Sequence, residues 1–258
     1  MLELRQVSRH FGGVKAVDGL ALSVQKGDIL GLIGPNGSGK STTVNLISGL
    51  YQPSAGRIVF QGEDISTLPT HLRAQRGIAR TFQNIRLFSQ LTVWENLWAA
   101  RVERGTGWSG FKSRWLASAQ QGREAAESIL EFSGLQGKRD MLAGNLAFGE
   151  QRRLELARVA VSGAPLLLLD EPAAGMNAEE IEDLDQRIRA LRQQGHTIVL
   201  IEHHMELVMG VCDKVAVLNF GRKIAEGLPQ EVQEDPQVRA AYLGADDSDE
   251  LLNAALAA

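Results

Sequence analysis

The chain has 258 residues, 44% of them hydrophobic, and a net charge of −4, enough to bury the core of one large domain with room for an inserted subdomain. The acidic balance, with a pI near 5.8, excludes the broad basic footprint expected of a nucleic-acid binder. Cys212 is the only cysteine, which rules out an intramolecular disulfide and suits a reducing compartment.

From the first residue, Met1-Leu2-Glu3-Leu4-Arg5 lacks the basic-then-apolar pattern of a secretory signal. Strand-like runs at Leu2–Val7, Leu20–Val24, Asp28–Ile33 and Arg57–Phe60 alternate with glycine-rich turns as far as about Gln83. The hairpin-like spacing of the early runs predicts an antiparallel edge sheet beside the strand that ends at Ile33. That strand leads into Gly34-Pro35-Asn36-Gly37-Ser38-Gly39-Lys40-Ser41, a G-x-x-x-x-G-K-S phosphate loop, and Thr42–Ile47 then opens a helix. Gly34, Gly37 and Gly39 let successive amides converge on an anion at the helix start. Lys40 offers a mobile charge to the β- and γ-phosphates, and Ser41 offers a hydroxyl to magnesium. Asn36, Gly37, Ser38, Gly39, Lys40, Ser41 and Thr42 are the expected nucleotide contacts in this segment.

From about Asn84 to Asn145 strand signals vanish. Helical spacing at Val93–Trp98 and Glu124–Phe132, separated by the loop-like Gly105–Gly110, predicts a helical insertion. All four tryptophans, Trp94, Trp98, Trp108 and Trp115, fall here. They form either a core stripe of the insertion or, with some of them beside Leu87 and Phe88, a groove for a partner's helix. After Gln151 a helix to about Val161, the strand Leu166–Asp170, a helix Ala178–Gln194 and the strand Thr197–Ile201 restore the alternation of a mainly parallel sheet. Strands at Lys214–Asn219 and Lys223–Glu226 follow. Pro229 begins one short helical pattern to about Leu243, and the acidic, then alanine-rich, end reads as a weakly ordered tail. No apolar run is long enough to span a bilayer, so work at a membrane requires a partner to hold the chain there.

Leu166-Leu167-Leu168-Leu169-Asp170-Glu171 is a buried strand ending in two carboxylates, and the carboxyl end of such a strand is where open α/β folds place ligands. Asp170 suits a magnesium ion beside Ser41, and Glu171 is placed to polarise an attacking water.

Asn145–Arg158, with Ala147-Phe148-Gly149-Glu150 at its core, lies just before this strand and resembles the signature segment of ATP-binding cassette (ABC) proteins. The order of phosphate loop, Gln83, signature, acidic strand and His203 also resembles that family over nearly the whole chain. Leu-Ala-Phe-Gly, Glu171–Asn177, Leu200–His203 and the endings Glu226–Pro229 and Ala241–Gly244 are similar to the ATPase subunits of Liv-type branched-chain amino-acid importers.

The resemblance implies an α/β fold with a P-loop NTPase (RecA-like) core, residues 1–83 and 151–244. An antiparallel β edge subdomain, an inserted α-helical subdomain over 84–150 and a tail over 245–258 complete the expected organisation. It implies ATP and Mg2+ as ligands. Ala147, Phe148, Gly149 and Glu150 of one subunit would cap the nucleotide held by a second ATPase subunit. It further implies Phe11, in a loop, as the adenine-stacking ring, Gln83 as a magnesium ligand and γ-phosphate sensor, and His203 as the group that orients Glu171. Expected partners are two transmembrane permease subunits and, indirectly, an external solute-binding protein, with the chain peripheral on the cytoplasmic face of the inner membrane. Several positions depart from the family. Ala147 stands where most cassettes have serine, and Glu150 where most have glutamine, so its carboxylate must turn away or be compensated by Arg152 or Arg153. Asn177 replaces a loop aspartate, and His204 stands where aspartate is common. A nucleic-acid or ribosome-directed cassette and a regulator without turnover are the alternatives; the single cassette counts against the first and Glu171 against the second.

Overall fold

The structure, a computed structural model, describes residues 1–100 and 126–243. In chain order the strands are β1 (Leu2–Phe11), β2 (Val14–Val24), β3 (Ile29–Ile33), β4 (Ala55–Phe60), β5 (Glu63–Asp64), β6 (Ile78–Arg80), β7 (Leu166–Asp170), β8 (Thr197–Ile201), β9 (Lys214–Asn219) and β10 (Arg222–Gly227). The helices are α1 (Lys40–Ser48), α2 (Thr70–Arg76), α3 (Val93–Ala100), α4 over 126–133, α5 (Phe148–Val161), α6 (Ala178–Gln193), α7 (Met205–Val211), α8 (Pro229–Glu234) and α9 (Pro236–Leu243).

Every residue of β3, β7 and β8 is buried, so both faces of their sheet must be covered. They form the centre of a six-stranded sheet of order β10-β9-β3-β8-β7-β6, parallel except for the β9–β10 hairpin. Alternation along each strand decides which face a side chain serves. Ile29, Ile33, Leu167, Leu169, Ile198 and Leu200 pack with Leu154 of α5, Leu184 of α6 and Val208 of α7. Their neighbours Leu30, Leu32, Leu166, Leu168, Val199 and Ile201 pack with Val44, Leu46 and Ile47 of α1 and the inner face of the second sheet. At about 1.5–3 kcal/mol per fully buried aliphatic side chain, this two-sided core makes the strand ends a rigid support for whatever sits on them.

The second sheet is antiparallel, of order β2-β1-β4-β5. β1 runs on through Phe11, so Phe11 is a strand residue and the turn is Gly12–Gly13. The strand pairing Phe11↔Val14 outweighs the loop tendency of the two glycines.

Two elements carry no run of their own in the sequence. The polar helix α2 buries only Arg73, and the three-residue β6 is set by pairing Ile78↔Leu166 and Arg80↔Leu168. Arg73 is fully buried and donates to the carbonyls of Leu46 (2.5 Å), Ile47 (3.0 Å), Ser66 (2.9 Å) and Leu68 (2.9 Å). It thereby satisfies the C-terminal carbonyls of the phosphate-loop helix. Burial pulls its pKa down to about 10, against the pull of Asp64.

Between 84 and 150 the described residues form α3, α4 and two 3-10 turns, Gln136–Lys138 and Ala143–Asn145. Trp94 and Trp98 stack at 6.4 Å, and Arg139 lies 3.9 Å over Trp94. Trp108, Trp115, the Gly105–Gly110 segment and the expected tail lie outside the described residues. The single terminal helix of the sequence reading is two helices. Asp235 is held extended before Pro236, and its Oδ1 accepts from the Gln237 amide at 2.7 Å.

Candidate functional site

The phosphate loop connects β3 to α1 and is wedged between strands. A Cβ on Gly34 would stand 2.1 Å from the Leu218 carbonyl, and one on Gly39 2.5 Å from that of Ala16. With φ of +145° and +107°, neither position accepts a side chain. Lys40 folds back over the loop, its Nζ donating to the carbonyls of Gly34 (2.6 Å) and Pro35 (3.0 Å). Burial lowers its pKa, partly opposed by Glu171 and Asp170. The Ser38 hydroxyl is buried inside the loop with no hydrogen-bond partner. Asn36, Gly37 and Ser41 are exposed on its outer side, and Thr42 is half-buried. Burial pushes the pKa of Tyr242 on α9 up to about 12, against an opposing pull from the Gly34 backbone.

Asp170 closes β7 and is almost wholly buried. Its Oδ2 accepts from Arg80 Nη2 at 2.9 Å, and Arg80 also reaches Asn45 Oδ1 (2.6 Å) and Ser48 Oγ (3.1 Å) on α1. Burial pushes the Asp170 pKa up despite Arg80. Glu171 adopts a left-handed φ of +48°, rare for a side chain of its length and a mark of a constrained site. Its amide donates to the Ile201 carbonyl at 2.9 Å, and its Oε2 accepts from Gln83 Nε2 at 2.8 Å. Residues 88 positions apart in the chain are thus in direct contact at the strand ends. His203 is exposed on the turn after β8, its ring 4.4 Å from that of His204.

Helix α5 begins at Phe148, with Ala147 at the cap position and so no cap side chain to accept from the amides of the first turn. Glu150 folds back to accept from the Ala147 amide at 3.1 Å. Lys138 (2.5 Å) and Arg153 (3.8 Å) compensate its carboxylate and hold its pKa down. Arg152 takes no part in this compensation. It turns inward, donating to the carbonyls of Phe82 (3.3 Å) and Gln83 (2.8 Å) and pairing with Glu155 at 3.3 Å. Glu155 Oε1 accepts from the Phe82 amide at 3.4 Å, and burial raises its pKa against the opposing pull of Arg152. This buried pair ties α5 to the segment that carries Gln83.

Gly149 makes a close approach possible, since a Cβ there would lie 2.2 Å from Glu180 Oε1. Glu180 in turn caps α6 reciprocally with Asn177, each amide donating to the other's side chain at 3.0 Å. The Phe148 ring covers Gly175 in the loop after Glu171. A cavity of about 500 Å3 between α5 and α6 is lined by Gly149, Glu150, Arg152, Glu180, Asp183 and Arg187.

Phe11 is 40% exposed, with Tyr51 edge-on at 5.2 Å and the Arg9 guanidinium at 4.6 Å. A groove of about 490 Å3, lined by Leu50, Ile78, Phe82, Arg86, Phe88 and Val159 among others, opens beside β6 and α5. Trp94 and Trp98 line not this groove but a separate recess with Leu91, Glu95 and Ala99, and Leu87 and Trp94 both pack against the core. Arg80, Glu155 and Glu202 were not anticipated as site residues, and Arg152 only as a partner of Glu150. Arg80 lies three residues before Gln83, Glu155 lies within the signature segment and Glu202 precedes His203, so adjacency was the available signal.

Residues 17–174 match the family model described as ABC transporter, and residues 222–248 the model described as branched-chain amino acid ATP-binding cassette transporter. The chain is 42% identical over 249 residues to the high-affinity branched-chain amino acid transport ATP-binding protein BraF of Pseudomonas aeruginosa, covering 95% of this chain and 98% of that one. LivG of Escherichia coli, named for the same transport, is also 42% identical with the same coverage. A solved ATP-binding cassette of an ABC transporter, in its ADP conformation, superposes with a TM-score of 0.83 at 32% identity, covering 95% of this chain and 99% of that one. With the family model spanning more than half of its length, the chain belongs to the ATP-binding proteins of ABC transporters, which hydrolyse ATP to power transport.

Proposed function

We propose that this chain is the ATPase subunit of an importer for branched-chain or related hydrophobic amino acids. It pairs on ATP with a second ATPase subunit and drives two separate permease subunits from the cytoplasmic face of the membrane. The observation that carries the hydrolytic reading is the Gln83–Glu171 contact of 2.8 Å, at the same carboxyl end of the sheet as Lys40 and Asp170. The substrate reading rests on the match over residues 222–248 and on the names of the relatives. Delivery of the solute by an external binding protein belongs to the same reading.

The loop fits a phosphate ligand on its own features. Ser38 keeps a buried hydroxyl without a partner there, and the Lys40 ammonium stands over the loop. Asp170, Ser41 and Gln83 form a donor set of oxygens that suits Mg2+, which would neutralise charge developing on the phosphates. In hydrolysis a water oxygen bonds to the γ-phosphorus as the bond to ADP breaks. Glu171 accepts the hydrogen bond of that water and its proton, while Lys40 stabilises the phosphate oxygens. His203 orients Glu171. Phe11 supplies the adenine platform, Asn36 to Thr42 the phosphate contacts, and Ala147 to Glu150 the cap offered to the partner's nucleotide. Glu150 lies outside direct phosphate contact in this scheme, because Lys138 and Arg153 hold it. The groove beside Phe82 and Phe88 receives a permease helix.

Glu171→Gln tests the assignment. Hydrolysis by the purified chain is expected to fall by about 10²–10⁴ while ATP-dependent dimerisation, read by light scattering, persists. Parental turnover in that variant refutes the role of Glu171. Uptake of labelled leucine by vesicles holding the assembled transporter tests the substrate, and uptake of an unrelated solute alone refutes it.

A further inference from the structure

We propose that Glu202 is a positioning residue for hydrolysis, its single carboxylate holding the segment after Glu171 and the turn bearing His203 in fixed mutual geometry. The proposal rests on the reading of Glu171 and His203 given above. Asp170 pairs with Ile201 across the parallel β7–β8 ladder, so Glu171 and Glu202 are the next residues out along neighbouring strands. There they diverge: Glu171 turns left-handed toward Gln83, whereas Glu202 turns inward and is fully buried. Its Oε1 accepts from the Ala173 amide at 2.7 Å, and its Oε2 from the amides of His203 (3.1 Å) and His204 (3.3 Å).

A buried carboxylate is unfavourable unless it is paired or hydrogen-bonded, and three backbone amides meet that need here. Hydrogen bonds to a carboxylate are roughly twice as strong as neutral ones. One oxygen is committed to the loop that follows the proposed base, the other to the turn that carries its orienting histidine. The side chain therefore fixes one loop against the other at a point where no strand pairing continues. No neutral side chain of the same length can do this. A glutamine places an amide NH2 against either the Ala173 N–H or the paired histidine N–H groups, so one arm must open. Aspartate keeps both acceptors but shortens the reach.

The test is steady-state hydrolysis by the full chain carrying Glu202→Gln, with nucleotide binding read by a fluorescent ATP analogue. The expected result is a fall in kcat of roughly tenfold or more, the loss of one charge-assisted bond, with KM and analogue affinity within about twofold, because the phosphate loop is untouched. In a His203→Ala background, followed by release of radiolabelled phosphate, the same change is expected to cost less than about twofold, since contacting residues in one network do not add. A merely structural role moves kcat, KM and the thermal midpoint together, by the same factor in both backgrounds, and overturns the proposal. Should Glu202→Gln fail to fold, Glu202→Asp replaces it; the shortened carboxylate is expected to lower kcat at constant KM, and parental kcat overturns the proposal. Parental turnover in both Glu171→Gln and His203→Ala sinks the site reading itself. Loss in those two with parental turnover in Glu202→Gln sinks this inference alone.

Discussion

Replacing Arg152 with methionine separates what α5 contributes to stability from what it contributes to turnover. The side chain is almost wholly buried, pairs with Glu155 at 3.3 Å and donates to the carbonyls of Phe82 and Gln83. Removing one partner of such a pair strands a buried carboxylate and costs about 3–5 kcal/mol. With an unfolding entropy of about 2.1 cal/mol/K per residue over 258 residues, that lowers the thermal midpoint by about 6–9 °C. The loss depends on pH. Burial already raises the Glu155 pKa while Arg152 restrains it, so the variant raises it further. A carboxyl with a folded pKa above its unfolded one destabilises the fold at high pH. That penalty disappears as pH falls through the folded value toward the unfolded one. The midpoint deficit is therefore expected to be full near about pH 8 and smaller near about pH 5. Adding Glu155→Gln removes the stranded charge and is expected to restore most of the midpoint but not hydrolysis, because the carbonyls of Phe82 and Gln83 still lack their donor. Thermal melts at both pH values and steady-state ATPase rates check this. An equal deficit at the two pH values, or recovery of turnover along with stability in the double variant, refutes the reasoning.

Two further outcomes follow from the start of α5. Ala147→Ser supplies the missing cap, worth about 0.5–2 kcal/mol, so the midpoint is expected to rise by about 1–4 °C; an unchanged or lower midpoint contradicts the cap assignment. Gly149→Ala drives a Cβ to within 2.2 Å of Glu180 Oε1 and so displaces the carboxylate that caps α6. It is expected to cost about 1–3 kcal/mol in urea unfolding, of the order seen when a packed contact is overfilled. Most of that cost should vanish in a Glu180→Ala background. An undiminished cost there places the clash elsewhere.

The phosphate loop, the acidic strand and the strand-helix alternation were legible in the sequence because each is local: four fixed positions, one apolar run, one periodicity. Contacts across long separations were legible only through the family order. Gln83 and Glu171 could be named as partners of one site, yet nothing in either segment announces the 2.8 Å bond between them. Elements with little apolar content escaped, as α2 did with its single buried residue, an arginine, and β6 with three residues that pairing alone makes a strand. The choice between Arg152 and Arg153 as partner of Glu150 turned on helix phase. Arg152 faces the core while Arg153 and the distant Lys138 face Glu150. One signal was present and not used. Asn177 with Glu180 three residues later is a capping-box spacing, and it gives Asn177 a local structural duty.

Each charged side chain assigned to nucleotide or ion already holds a protein partner: Lys40 two loop carbonyls, Asp170 the Arg80 guanidinium, Glu171 the Gln83 amide. Under the proposed function, binding of magnesium and ATP is an exchange of partners, and each exchange frees a group with a second attachment. Gln83 is the consequential one. Its side chain leaves Glu171, but its carbonyl stays bonded to Arg152, so its displacement is passed to α5 instead of being absorbed by a slack loop. Phe82, one residue earlier, lies beneath Arg80 and Arg86 and lines the groove assigned to the permease. A change at the γ-phosphate thus reaches the groove through two adjacent residues clamped by one buried ion pair. This is the physical reason to expect that loosening the pair uncouples hydrolysis from transport before it abolishes either.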